Sequence, residues 1–399
     1  MSDTTDSFYM DVDYAGRAGP LFGLSFKTLL LTVLTLGIYR FWMKTRMRRY
    51  YWSSVQPGGA PLEYTGTGLE KLLGFLIAVV FLAIYLGLVN VALSFIGLSF
   101  FQGNPFALNL SLLAVVPLIF YARYRARRYI LSRTTWRGLR FGADQAAWKY
   151  MLSALGHTFI SVITLGLLIP RQTYYLEKFV TDRTWYGDLK FEQQGNWKLL
   201  MRPWLMVIGM FFVIAAIGAG GAAIESLPLI IAAVIAGYVG IFVAIVYYSV
   251  ASFRILAAHK VAGQNIRFES NIRTGRVIRI YVLGFIGITL AALAVMLVAG
   301  LVFGVSTGFD LSPERLEALA TGGSAAIIAF VVGILAYFAF LLFLGALAQV
   351  LFIQPLLRHY AVETTIHNAE EIDTASQRAH DQNVEAEGFA DALDVGAAI

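Results

Sequence analysis

The sequence predicts an all-α polytopic membrane protein built by internal duplication. Its parts are short re-entrant or spanning elements, helical hairpins, and short cytoplasmic β-strands between them. Three observations carry this prediction. The 399-residue chain is 58% hydrophobic and only 14% charged, about half the charge of an ordinary soluble domain. Its apolar residues gather into stretches close to the roughly 20 residues that a spanning helix needs. Its local patterns also recur at a fixed offset. The composition argues against a soluble enzyme and a disordered chain, and the absence of cysteine argues against a disulfide-built scaffold.

Segment 1–19 carries Asp3, Asp6, Asp11 and Asp13 and lacks a basic leader, so it reads as a retained strand segment rather than a cleaved signal peptide. Eight apolar stretches follow: 21–39, 73–101, 106–122, 151–169, 204–224, 227–251, 281–305 and 325–353. Between them the cations are unevenly placed. Segments 40–71, 122–149, 170–203 and 252–279 hold 26 of the 31 Lys and Arg, whereas 102–105 and 225–226 hold none. The bias of Lys and Arg toward the cytoplasm therefore places all four basic segments, and with them the C-terminal tail, on the cytoplasmic side of the membrane. Stretches 21–39 and 151–169 conflict with this if they cross, because basic segments would then face both sides. Lys27 interrupts the first and His157 the second. Both are expected to enter the membrane without crossing it, buried by neighbouring helices or lining a wet cavity.

The chain repeats itself at an offset of about 127–129 residues. Thr28, Thr32, Thr35, Leu36 and Gly37 match His157, Ser161, Thr164, Leu165 and Gly166; Gly68, Lys71, Leu72 and Leu73 match Gly195, Lys198, Leu199 and Leu200. Alternating triplets recur as Val12-Asp13-Tyr14, Leu139-Arg140-Phe141 and Ile266-Arg267-Phe268, and as Leu62-Glu63-Tyr64 and Leu189-Lys190-Phe191. Near Pro57-Gly58-Gly59, Gly138 and Gly187 these read as five short strands. The organisation expected is a first membrane repeat at 20–149, a second at 150–279, a helical hairpin at 280–357 that is a diverged third copy, and a tail at 358–399. From 359 onward the chain holds nine acids against one Arg378, which reads as solvated and disordered. Crossing short elements would make the repeats inverted, as in many transporters, and non-crossing ones would make them parallel.

The run Thr32-Val33-Leu34-Thr35-Leu36-Gly37-Ile38-Tyr39-Arg40-Phe41-Trp42, with Lys44, Arg46, Arg48, Arg49, Tyr50 and Trp52 after it, resembles the YjgN-like family. So does Leu62-Glu63-Tyr64-Thr65-Gly66-Thr67-Gly68-Leu69-Glu70. The resemblance implies a polytopic bacterial inner-membrane protein and supplies no catalytic residues, because the family has no established reaction. The second copy departs from it: Pro170 and Arg171 stand where Phe41 and Trp42 stood.

Candidate functional residues fall into two groups. Ser25, Thr28, Thr32, Thr35 and Tyr39 step by three or four and form one polar stripe on a helix; His157, Ser161 and Thr164 continue it in the second copy. With Lys27, these residues could line a polar path. Equally, their hydroxyls could bond the carbonyl one turn back, and Lys27 could snorkel to the headgroups. Arg46, Arg48, Arg49, Arg123, Arg125, Arg127 and Arg128 leave apolar stretches directly and could contact anionic lipid, or serve only as topology signals. The clear spans contain no Asp or Glu, against ion- or proton-coupled transport. Neither HExxH nor GxxxxGK[ST] occurs, and the five histidines are not at ligand spacing. No enzyme, cofactor or metal site is expected, and no nucleic acid. Two functions remain open: a small-solute or lipid transporter or binding protein acting between its repeats, or a scaffold whose tail recruits a membrane or envelope protein. The partners expected are membrane lipids, another membrane protein or a second copy.

Overall fold

Alternation around tight turns makes strands, and the strands of every part of the chain meet in one antiparallel sheet. The computed structural model describes residues 9–100, 111–307, 324–379 and 392–393. The strands are β1 (Tyr9–Tyr14), β2 (Val55–Pro57), β3 (Leu62–Tyr64), β4 (Thr134–Trp136), β5 (Leu139–Ala143), β6 (Thr184–Tyr186), β7 (Leu189–Gln193), β8 (Lys260–Ala262), β9 (Ile266–Ser270) and β10 (Thr364–His367). Their order in the sheet is β2-β1-β10-β9-β8-β7-β6-β5-β4-β3. The two edges belong to consecutive strands, β2 and β3, which touch without ladder pairing. The sheet is therefore a ring in chain order with one unladdered seam.

Tight turns set the register of the hairpins. Arg137 and Gly138 both take positive φ, 47° and 79°, the mirror-image turn whose twist suits flanking strands. It pairs Trp136 with Leu139. Gly187 makes the matching turn and pairs Tyr186 with Leu189. Alternate side chains then point into the ring: Met10, Trp136, Tyr186, Ala262, Ile266 and Ile366 form its core. A 3₁₀ turn, Ala369–Thr374, inserts Ala369 and Ile372 into the same core. Acids of this segment and of the turns fix the plug. Glu371 accepts the backbone N–H groups of Gln264 and Asn265 at 2.6 and 2.8 Å, and Asp188 accepts the Ser376 N–H and hydroxyl at 2.8 and 2.6 Å.

These observations correct two expectations. The protein is not all-α, because a ten-stranded antiparallel sheet accompanies its helices. Five of the strands, β1, β3, β5, β7 and β9, are the triplets read from the sequence; each of the other five follows directly on a helix and is three or four residues long. Within the segment read as a disordered acidic tail, Thr364–His367 form a strand and Ala369–Thr374 a plug; residues 380–391 and 394–399 lie outside the described residues. Ile366, Ala369 and Ile372 have an apolar core to enter, and that outweighs the polarity of their neighbours.

Helical hairpins connect the strands in pairs. They are α1 (Ala18–Leu34) with α2 (Arg40–Ser54); α3 (Gly68–Phe100) with α4 (Ser111–Ser132); α5 (Ala147–Ile163) with α6 (Ile169–Thr181); α7 (Met201–Ala223) with α8 (Leu227–Ala258); and α9 (Thr274–Thr307) with α10 (Ser324–Ala348). The last hairpin returns through a π turn, Gln349–Ile353, and α11 (Gln354–Val362). Because the strands alternate in direction, every helical connection leaves and re-enters at one edge of the sheet, and every tight turn lies at the other. Among the described residues five helical segments are long and apolar enough to cross a membrane: Gly68–Ile96, Trp197–Ala223, Leu227–Ala258, Thr274–Leu301 and Val331–Val362. Part of the expected 106–122 stretch lies outside the described residues; α4 is apolar to Tyr121 and basic after it.

The chain divides into two units. One comprises 1–15, 48–274 and 360–399 and contains the whole sheet; the other comprises 16–47 and 275–359. In the second unit α1 packs along α10, with Phe22 edge-on to Phe343 at 5.9 Å and Gly345 against Leu29. Gly284 and Gly287 of α9 receive Phe352 and Leu351 of the π turn. In the first unit Gly221 and Gly240 do the same for the α7–α8 pair, against Leu229 and Ile214. At these positions small residues let helices approach closely.

Candidate functional site

The two short hairpins are built alike, down to individual hydrogen bonds. The arms α1 and α5 each have 17 residues, and each ends where Leu-Gly turns the chain back. Leu36 and Leu165 adopt φ of 52° and 50°, and Gly37 and Gly166 adopt 92° and 84°. The N–H of Gly37 donates to Thr32 O at 2.7 Å and that of Leu36 to Val33 O at 3.0 Å. In the second copy Gly166 donates to Ser161 O and Leu165 to Val162 O at the same two distances. This is the paired-bond helix stop that normally places glycine at the first left-handed position. Here leucine occupies it twice.

The predicted threonines complete these turns. The Thr35 hydroxyl donates to Leu31 O at 2.8 Å and accepts the Tyr39 N–H at 2.9 Å. Thr164 donates to Ile160 O at 2.9 Å and accepts the Leu168 N–H at 3.3 Å. Thr28 and Thr32 donate to Leu24 O and Thr28 O, each at 2.8 Å. The three threonine hydroxyls of the first stripe are therefore bonded to their own helix, whereas the Tyr39 hydroxyl has no hydrogen-bond partner among the described residues. Lys27 is exposed on α1, Thr28 is buried, and Thr32 and Thr35 are half-buried.

In the second hairpin the structure gathers groups from both arms. Arg171 donates from a guanidinium N–H to His157 Nδ1 at 3.0 Å. Arginine has no acceptor, so this ring nitrogen is unprotonated and the imidazole proton resides on Nε2. The imidazole stacks on Tyr175 with centroids 5.1 Å apart and planes 8° from parallel, and Arg171 lies 5.1 Å from the same ring. Gln172 bonds the Thr158 hydroxyl at 2.8 Å. The buried Ser161 hydroxyl has no partner among the described residues. The spacing in the sequence gave no hint of Arg171 or Tyr175, because both lie on the return arm.

Among the described residues the tips are the most exposed large apolar side chains. Leu36 is 94% exposed and Leu165 is 96% exposed, flanked by Leu34, Ile38, Val162 and Ile163, which are also exposed. A left-handed leucine costs roughly 1–2 kcal/mol relative to right-handed backbone. In water nothing offsets that cost, and glycine would be the better residue. In hydrocarbon a leucine side chain gains about 2 kcal/mol, which inverts the preference.

The seven predicted arginines do not form one surface. Arg48 is 3% exposed; it bonds Tyr64 at 3.2 Å and lies over the Tyr64 and Trp52 rings. Arg49 donates to Gly66 O and Arg128 to Ala143 O, at 2.9 and 3.1 Å. Arg46 and Arg125 lie over Tyr39 and Tyr121, while Arg123 and Arg127 are exposed. Arg128 also borders a cavity of about 350 Å³ on the sheet, where Asp144 accepts from both Trp185 and Arg378. Among the described residues no three His, Cys, Asp or Glu side chains are placed to hold a metal ion.

The sequence profile of a family described as bacterial protein of unknown function, DUF898, matches residues 10–291. The chain belongs to this family. It is also 24% identical over 241 residues to the inner membrane protein YjgN of Salmonella typhimurium strain LT2. That match covers 51% of this chain and 57% of the relative, so the chain spans little more than half the length of that protein. No solved structure matches. The matched segment runs from β1 into α9 and includes both short hairpins. This membrane protein is thus YjgN-like, and its family supplies no activity.

Proposed function

We propose that this DUF898 member is a non-enzymatic inner-membrane protein that holds or moves membrane lipid, using its short hairpins as wedges. The wedges enter the leaflet next to the sheet and return without crossing. The observation that carries this reading is the pair of left-handed, almost fully exposed leucines at the two tips, a choice that is favourable only in apolar surroundings. The connectivity supports it, because each short hairpin begins and ends in neighbouring strands: β1 with β2, and β5 with β6. A sheet lying in the cytoplasm then accommodates all four basic segments and removes the charge conflict. The alternative of a recruiting tail has less support: residues 364–378 are engaged with the sheet and its turns.

The test is topology in a chain that has no cysteine of its own. Ser53→Cys, Gln145→Cys, Gln194→Cys and Asn271→Cys each place an exposed thiol in a different basic segment. In intact cells all four are expected to resist an impermeant thiol reagent, and in lysed cells all four are expected to react. Labelling of one half of the chain in intact cells would mean that the short hairpins cross, and the wedge reading would fail.

A further inference from the structure

We infer that Arg202 and Arg254 form a headgroup site for an anionic glycerophospholipid at the base of the α7–α8 hairpin. Arg202 lies in the first turn of α7 and Arg254 in the last turns of α8. The antiparallel arms bring both to the wall of one cavity of about 380 Å³, within the roughly 300–1,000 Å³ common for small-ligand sites. Both side chains are exposed. Neither has a hydrogen bond, ion pair or ring partner among the described residues, and no acid lines the cavity. The other arginines of the basic segments largely have partners, as Arg48, Arg49 and Arg128 do.

The rest of the cavity identifies the ligand as an amphiphile. Leu199, Met206, Tyr247 and Ile255 form its apolar wall. Just beyond the arginines, the exposed Leu205, Met206 and Phe253 begin the surfaces of two segments long enough to span a membrane. Trp204 packs edge-on against Tyr248 at a centroid distance of 5.0 Å, the kind of aromatic pair that sits at headgroup level. A phosphate between the guanidiniums would have acyl chains running along those apolar faces. A phosphodiester accepts hydrogen bonds from the planar guanidinium fork in a way that a zwitterionic headgroup's ammonium would oppose. A free inorganic phosphate would leave the apolar wall unused.

This inference rests on the membrane placement proposed above, but its test reads something different. The full chain in neutral detergent micelles is titrated with fluorescent phosphatidylglycerol, and separately with fluorescent phosphatidylcholine. Saturable binding of the phosphatidylglycerol is expected. Arg202→Gln with Arg254→Gln should weaken it about thirtyfold, on the order of fivefold for each charge. The double variant Arg202→Lys with Arg254→Lys keeps the charge but loses the fork, so it should bind more weakly than the parent and several-fold more tightly than the glutamine pair, which separates loss of charge from loss of fold. Lys149→Gln with Arg267→Gln, two exposed cations on α5 and β9 that lie outside the cavity, serves as the control and should change binding little. Equal loss in both glutamine pairs, or none in the Arg202/Arg254 pair, would overturn the site. Competition by millimolar inorganic phosphate as effective as that by unlabelled phosphatidylglycerol would assign it to free phosphate instead. Split cysteine labelling together with an intact arginine effect would refute the wedge topology and leave this site standing.

Discussion

Leu165→Asp is the sharpest perturbation of the hairpin tips, because water and hydrocarbon predict opposite signs. Leu165 is 96% exposed at φ 50°. Aspartate tolerates left-handed backbone better than leucine does, so the change relieves up to about 1 kcal/mol of strain. If the tip lies in water, that relief is the main effect and the variant is slightly more stable. If the tip lies in hydrocarbon, replacing leucine by aspartate costs about 3 kcal/mol on insertion scales, and the net loss is about 2 kcal/mol. For a chain of 399 residues this lowers the melting midpoint by about 2–3 °C, taking roughly 2.1 cal/mol/K of unfolding entropy per residue. The assay is tryptophan-monitored melting of the full chain in phosphatidylcholine nanodiscs. Leu165→Gly serves as the control, since it loses the side chain and the strain together and should stay within about 1 kcal/mol of the parent. A companion measurement places bimane on Leu36→Cys, where lipid-borne nitroxide should quench it and aqueous iodide should not. A midpoint for Leu165→Asp equal to or above that of the parent would refute the argument from strain.

The plug and the half-buried Glu177–Lys260 ion pair make two further predictions. Ile372 is 6% exposed within the ring core, so Ile372→Ala should destabilise the protein by about 2–4 kcal/mol, detectable as faster proteolysis after residue 363 in detergent. Burial alone would raise the pKa of Glu177, but Lys260, whose Nζ donates to it at 3.0 Å, and Arg127 outweigh that and push it down from 4.5 to about 2. A lowered folded-state pKa contributes stability above pH 4.5 that is lost as pH falls toward 2. Glu177→Gln should therefore cost up to about 3 kcal/mol at pH 7, and the gap to the parent should close in melting curves recorded near pH 3.

The membrane class and the repeat were legible in the sequence because composition and offset are properties of the whole chain. The five triplets were legible because charge and aromatic residues alternate within them. Their partners were not: Val55-Gln56-Pro57 and Lys260-Val261-Ala262 are three residues long and follow directly on helices, and ladder pairing with distant strands makes them strands. The tail misled for the same reason. Its acids cap backbone N–H groups of turns more than 100 residues away, as Glu371 does at Gln264 and Asn265, and composition reports charge without reporting what the charge bonds. The threonine stripe and its bonding to the carbonyl one turn back were both legible, the second as one of two readings; Arg202 and Arg254 were counted among the basic segments without being singled out, since convergence on one cavity requires both arms of a hairpin.

The position of β10 sets an order of events during synthesis. It is the last of the described strands to be made, and it sits between β1, the first of them, and β9; Thr365 bonds Asp11 across 354 residues. At the usual rate of about 5–20 residues per second, β1 waits roughly 20–70 s for that neighbour. The ring cannot close, nor its core be shielded from water, until the last hairpin has been delivered to the bilayer. Closure of the sheet therefore acts as an end-of-assembly checkpoint. A chain that ends within α10 lacks β10 and leaves β1 and β9 each with an unpaired edge.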